Sequence, residues 1–429
     1  MDTAWRWRRV VILLISAGVL TAAFGVTLGA VWRWLRPLPR LEQVRAWADA
    51  GRWEQAAGAI QPHLDRQPRD TTVLMLGARI AAAQGQLERC AELLEQVPAG
   101  SSNKLEAMLR QGQALRDAGR VSRAERVWRE ALAGYQQQFA AAPLRQTIQA
   151  ELVSLLSLER RAPEARELLW QMYPSHSEKW RLLLALARLE GRGTNPQVAI
   201  ALLDEFIQRD PTAVEARLGR ARYLIESSRW AEATEDGEQC RAQDPHNPRV
   251  LEVVLQCYCA LQQWDAADEL LDSFDLDRTN PTIWRLRAMR YKAQADWTNS
   301  AACFEESLRL KPTDPVTHYQ FAQLLLLSND RQRAEQHQEQ FGSLDAHQKA
   351  LEAYLVTVVQ TDSENWTPPD PDQCMELAEH LRVLGRIDEA RGWLREALRQ
   401  KPEHREARQA LERLSETTQS VGSQHSEGN

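Results

Sequence analysis

The chain has 429 residues, 43% of them hydrophobic, and a formal net charge of −6. No half is strongly basic, which leaves nucleic-acid binding without electrostatic support. The apolar fraction suffices for a large buried core. Six scattered cysteines with no CxxC pair exclude a disulfide framework and a zinc-ligand spacing, and read as small buried residues with reduced thiols.

Residues 1–9 form a short basic segment with Arg6, Arg8 and Arg9. No charge follows from Val10 to Trp32, a stretch roughly 35 Å long at about 1.5 Å per residue. It predicts one transmembrane helix over 10–32, flanked by Trp5 and Trp7 on one side and Trp32 and Trp34 on the other. The apolar region exceeds that of a signal peptide, which favours an uncleaved anchor. Cleavage near Leu28-Gly29-Ala30, giving a secreted soluble protein, is the alternative. Arginines on the two flanks nearly balance, and the free N-terminal amine tips the body towards the extracytoplasmic (periplasmic) side. The reduced cysteines point the other way, towards a cytoplasm-facing body. Ala17, Thr21, Gly25 and Gly29 form a small-residue stripe, so Gly25 and Gly29 are candidate contacts for a homo-oligomer. Residues 33–40 read as a linker.

Beyond the linker one pattern recurs. "GRWEQAAGAI" at 51 is echoed by "GQLERCAELL" at 85, "GRVSRAERVW" at 119 and "GRIDEARGWL" at 385. The small residue of each unit falls at Ala56, Cys90, Ala124, Ala165, Ala199, Ala233, Ala267, Ser300, Ala334 and Ala390. Successive gaps are 34, 34, 41, 34, 34, 34, 33, 34 and 56 residues. A fixed period of this kind marks a repeat architecture. Around each mark, apolar residues follow helical spacing before and after a turn. In 281–314, Ala288 and Ser300 are small where two helices cross closely. Trp284, Tyr291 and Phe304 fill the space beside the crossing. Gly or Asn at the turn tolerates a left-handed backbone, and Pro68, Pro211, Pro245, Pro312 and Pro402 each stop a second helix.

These residues resemble the tetratricopeptide repeat family, whose helix A carries Trp, Leu, Gly or Ala and Tyr, and whose helix B carries Ala, Phe, Ala and Pro. The best match is 281–314, with 37–70, 214–247 and 371–404 close behind. The units near 146–174 and 315–344 are degenerate, with Ala162 and Arg331 where an aromatic or aliphatic residue is usual, and "EGRGTN" adds turn residues near 177–212. The resemblance implies an all-α, right-handed superhelical solenoid of about ten helix pairs over 37–414. Stacked pairs bury what one pair cannot and leave a long concave face.

Two gaps exceed the period. Residues around "GYQQQFAAAPLRQ" are expected to lengthen a second helix before Pro143. The insertion 344–370 is expected to hold an additional helix over 344–360 and a Pro-rich loop, in which Trp366 is a candidate anchor for a partner. Residues 403–414 suit a capping helix, and the polar tail 415–429 is expected to be disordered.

No phosphate loop, dinucleotide fingerprint, zinc-protease motif or nucleophile elbow occurs. No catalytic residue, metal or cofactor is expected, and the chain reads as a non-enzyme. The resemblance implies that the ninth position of each repeat faces the concave side. That position reads Arg45, Arg79, Gln113, Ser154, Arg222, Gln256, Met289 and Gln323. The Lys and Asn with which some family members hold a terminal carboxylate are missing from successive repeats. Arg45, Arg79, Gln113, Arg222, Gln256 and Gln323 are the candidate groove residues, suited to an acidic or amide-rich partner segment. The expected function is a membrane-anchored scaffold or adaptor that binds protein partners, in assembly of a bacterial envelope or membrane complex. An accessory or regulatory subunit of a membrane enzyme complex, facing the cytoplasm, is the rival of a different class.

Overall fold

A computed structural model of the chain describes residues 39–134, 142–189, 195–273, 279–360 and 367–426. Among the described residues every regular element is a helix. Twenty helices, most of them packed in consecutive pairs, and a final helix follow in order. The first four pairs are α1 (Leu41–Asp49) with α2 (Trp53–Arg66), α3 (Thr71–Ala83) with α4 (Leu87–Glu95), α5 (Lys104–Asp117) with α6 (Val121–Gly134), and α7 (Ala142–Leu158) with α8 (Ala162–Met172). Then come α9 (Lys179–Arg188), which packs on α8 and on later helices more than on its successor, and α10 (Pro196–Arg209). The next five pairs are α11 (Val214–Glu226) with α12 (Trp230–Gln243), α13 (Pro248–Ala260) with α14 (Trp264–Ser273), α15 (Pro281–Ala293) with α16 (Trp297–Leu310), α17 (Pro315–Leu327) with α18 (Arg331–Gln360), and α19 (Pro371–Val383) with α20 (Ile387–Gln400). Helix α21 (Arg405–Ser426) closes the array. The architecture is an all-α solenoid of tetratricopeptide-like repeats. It comprises two compact units, residues 1–118 with 126–137, and residues 119–125 with 138–429.

The recurring turn is a backbone device. Gly51, Gly85, Gly119 and Gly385 take φ of 72 to 77°, the left-handed region that glycine enters without a Cβ clash. The residue after each turn donates its N–H back across the last helical turn, as in Arg52 to Trp47 O at 2.9 Å and Arg386 to Leu381 O at 2.8 Å. This bond satisfies a carbonyl that the helix end would leave open. The small residues five places on are packed shut: Ala56, Ala124, Ala165, Ala233, Ala267, Ser300, Ala334 and Ala390 are all fully buried. Ser300 Oγ donates to Ala288 O at 2.8 Å, so the crossing at α15 and α16 admits nothing larger. Phe304 then stacks on Phe321 at 5.4 Å between ring centroids, which carries the core from one pair to the next. Helices α2, α10, α12, α16 and α20 end two residues before Pro68, Pro211, Pro245, Pro312 and Pro402.

Two expectations need correction. Residues 344–360 are not a separate helix: α18 runs unbroken for 30 residues from Arg331 to Gln360. No proline interrupts it, and Gly342 meets no neighbour that would force a kink. Residues 135–141, expected to lengthen the second helix before Pro143, lie outside the described residues, and Pro143 enters the first turn of α7. A proline is tolerated there because the first-turn N–H has no partner within the helix. The capping helix does not stop at 414. Helix α21 continues to Ser426, into the segment expected to be disordered, where no proline ends it.

Among the described residues no helix is long and apolar enough to cross a membrane. The segment 10–32, with Gly25 and Gly29, lies outside the described residues, and so does Trp366. All six cysteines are buried and free. Burial pushes the thiols of Cys240, Cys259 and Cys374 up to about 12, so they stay protonated.

Candidate functional site

The first unit brings two of the candidate residues together. A cleft of about 290 Å³ opens between α3 and α5, lined by Met75, Arg79, Arg110, Gln113 and Asp117 over the buried Cys90. Arg79 and Gln113 thus line the same cleft from its two bounding helices. The Arg79 charge is already engaged: Nη2 reaches Asp49 at 2.6 Å, and the guanidinium lies 5.9 Å from the centre of the Trp53 ring. Arg110 in turn pairs with Glu106 at 2.6 Å. Arg45 is exposed on α1. The result is a mixed-charge cleft rather than a row of free cations.

In the second unit, Arg222 departs from expectation. It is half-buried, and Nη1 donates to the carbonyl of Arg160 at 3.0 Å. Burial lowers its pKa, because the charged form is desolvated. Arg222 therefore holds the turn between α7 and α8 and is not offered to a partner. It could not have been placed otherwise, since Arg160 takes the left-handed conformation at φ 55° and leaves a carbonyl to be satisfied.

That turn also gathers a cluster of partly buried charges. Arg161 reaches Glu125 at 2.8 Å, Glu159 at 2.9 Å and Glu164 at 2.8 Å. Arg249 adds a bond to Glu215 at 2.6 Å. Carboxylates outnumber guanidiniums, and Glu159 is only 2% exposed. Burial lifts its carboxyl to about 7 against the pull of Arg161. Gly219 packs against this turn so closely that a Cβ would lie 2.9 Å from Glu159 Cα. The cluster reads as the internal lock of a joint that lacks glycine. Among the described residues, no group of three or more His, Cys, Asp or Glu converges to hold a metal ion.

The remaining candidates, Gln256, Met289 and Gln323, are half-buried on α13, α15 and α17, and Ser154 is exposed on α7. Gln323 has a distinctive setting. Helix α17 buries Phe321, Ala322, Leu324 and Leu325 on one side. On the other side Val316 is 47% exposed, Tyr319 49%, Leu326 44% and Leu327 61%. At 3.6 residues per turn these four span an arc of roughly 100°, with Gln323 near its middle. Phe341 of α18 extends the patch, its ring 5.4 Å from that of Tyr319. Single exposed apolar residues are ordinary, but a contiguous group on one helix face marks a surface that is covered in use.

Sequence reasoning missed this patch by treating the ninth position alone. The signal was present: "PVTHYQFAQLLLL" carries more apolar residues than one buried stripe can hold, so some must face outward.

Family models described as tetratricopeptide repeat match residues 41–103, 184–248 and 224–289, and these segments support the family. A comparison with curated proteins found no match. Among solved structures, a tetratricopeptide repeat protein from Parabacteroides merdae is 17% identical, with 59% of this chain and 97% of that one covered and a TM-score of 0.30. MamA from Desulfovibrio magneticus is 13% identical, with 40% and 97% covered and a TM-score of 0.30. YrrB, a TPR protein described as having an unusual peptide-binding site, is 14% identical, with 40% and 90% covered and a TM-score of 0.28.

Proposed function

We propose that this array of tetratricopeptide repeats is a non-enzymatic scaffold that binds a protein partner through the outward face of α17. The observation that carries the reading is the uncovered group Val316, Tyr319, Leu326 and Leu327 around Gln323. Covering it removes apolar area from water at about 25 cal/mol per Å². The central amide selects a backbone or side-chain hydrogen bond and so fixes the register of the bound segment. The partner class that fits is a protein segment with an apolar anchor, not the acidic one that an arginine ladder would take. The charge-free stretch 10–32 supports attachment of the scaffold to a membrane, and with it a role in assembling a bacterial envelope or membrane complex. Six free buried thiols favour a second orientation, with the body in the cytoplasm as an accessory subunit of a membrane enzyme complex.

The test is affinity capture from detergent-solubilised membranes with three forms of the full chain. Changing Tyr319 and Leu327 together to Ser is expected to cut partner recovery about tenfold or more, since aromatic anchors dominate such surfaces. Changing Arg45 and Arg79 together to Ala is expected to leave recovery intact. The opposite ranking would move the site to the cleft between α3 and α5.

A further inference from the structure

Helix α18 carries two histidines, and each meets a histidine of a neighbouring helix nitrogen to nitrogen. His337 Nδ1 lies 2.9 Å from His318 Nδ1 on α17. His347 Nδ1 lies 2.8 Å from His380 Nδ1 on α19. At these distances one proton, and only one, sits between the two nitrogens. In the first pair the rest of the geometry says which ring owns it. His318 Nε2 faces the Pro312 carbonyl at 2.9 Å, which only accepts, so His318 carries its proton on Nε2. Its Nδ1 is then the acceptor, and His337 donates. His380 Nε2 lies 3.8 Å from Glu376, beyond hydrogen-bond range, so in this pair either ring can own the shared proton.

Each pair can take one further proton without cost to its hydrogen bond, on the Nε2 that is still bare. A second would set two N–H groups against each other on the same line. We propose that the two pairs are acid-sensitive latches: a second proton on either pair releases α18 from α17 and α19, and the last repeats loosen together as the pH falls.

The charged groups around the latches do not cancel this. Around His318 and His337 stand Arg333 and Glu305, paired with each other at 2.6 Å, and Asp314, which is bonded to Thr317. Around His347 and His380 stand Glu376, Glu379 and Arg382, the last two paired at 2.6 Å, with Asp345 and Lys349 paired at 2.7 Å on α18 itself. Glu376 alone lacks a cationic partner in this group besides His380, and its pull on that ring is outweighed by burial and the facing His347. Burial, the facing ring and, for His337, Arg333 lower the pKa values of His337 and His380. For a base whose folded pKa is depressed, stability is full above the unfolded value near 6.5 and is lost as pH falls towards the folded value. Between pH 7.5 and pH 5.0 one refused proton per pair raises the opened population by about thirtyfold.

The test is hydrogen exchange of the full chain at pH 7.5 and pH 5.0, corrected for intrinsic rates. Expected is a tenfold or larger excess of exchange at pH 5.0 in 331–360 and 371–383 over α11 to α13. Replacing His337→Asn and His347→Asn keeps an N–H near each Nδ1 position but removes the titration and should abolish the excess. The same excess in that variant, or none in the parent, overturns the proposal. A titration of the histidine ring signals in the unaltered chain serves if the variant does not fold. His337 and His380 should titrate below the ordinary histidine range while α18 remains helical; ordinary titration of both near pH 6.5 with structure intact would overturn it.

Discussion

Arg79 and Gln323 hold the same position in their repeats and face opposite chemistries. Arg79 lies in a cleft where Asp49 already answers its charge, Trp53 lies beside its guanidinium, and Arg110 is paired with Glu106. Gln323 lies among apolar side chains that stand exposed among the described residues. The repeat register fixes where a side chain is displayed, and the surrounding turn of helix decides what it is displayed to. A polar ladder read from one position per repeat therefore overstates the first unit and understates the second.

The largest effect should come from disturbing the framework under one face and not the other. Gly112, one residue before Gln113, leaves room for Trp128, whose ring a Cβ would meet at 2.1 Å. Trp128 is fully buried and donates to Leu109 O at 3.3 Å, so it cannot swing aside. Gly112→Ala should cost about 1–3 kcal/mol by overpacking and distort the cleft between α3 and α5. Ala322 holds the corresponding place before Gln323 and already accommodates its Cβ. Thermal unfolding of Gly112→Ala, with the α17 surface probed separately, checks both halves; a variant that melts like its parent contradicts the packing.

A smaller, pH-dependent effect should come from Glu159. Its folded pKa is raised above the unfolded value, so its contribution is fully present below the unfolded carboxylate range and is lost as pH rises through about 7. Glu159→Gln keeps a carbonyl oxygen for Arg161 and removes the buried charge. It should melt higher than the parent at pH 8 and almost equally at pH 5. A gain confined to acid pH would reverse the assignment.

The smallest effect concerns the turns themselves, and it bears on how much of the molecule was legible. The 34-residue period, the pairing of helices, the buried small residues and the prolines two residues beyond helix ends all follow from letters in the sequence. The turns at Arg160, Ser228, Gln262, Ala295 and Asn329 do not: these residues take φ of 55 to 64° where other repeats place glycine. Stacking of the pairs holds the backbone there despite the Cβ, which no local propensity announces. The caps were legible but unread, with Asn247-Pro248, Asn280-Pro281, Asp314-Pro315 and Asp370-Pro371 each placing a side-chain acceptor before a proline at the helix start. The fate of Arg222 depends on a carbonyl 62 residues away and could be seen only in three dimensions. Replacing Ala295 by Gly should relieve about 1–2 kcal/mol of left-handed strain while adding about 0.5–1 kcal/mol of backbone entropy. A net gain below about 1 kcal/mol is expected in denaturant unfolding. A loss of similar size would show that the turn is not strained.

The central claim is that α17 presents the partner-binding face. Hydrogen-exchange footprinting of the full chain, alone and with its captured partner, tests it most directly. The account predicts added protection across 315–327, with α3 and α5 unchanged. Protection of 71–83 and 104–117, with α17 exchanging as freely as in the unbound chain, would contradict it.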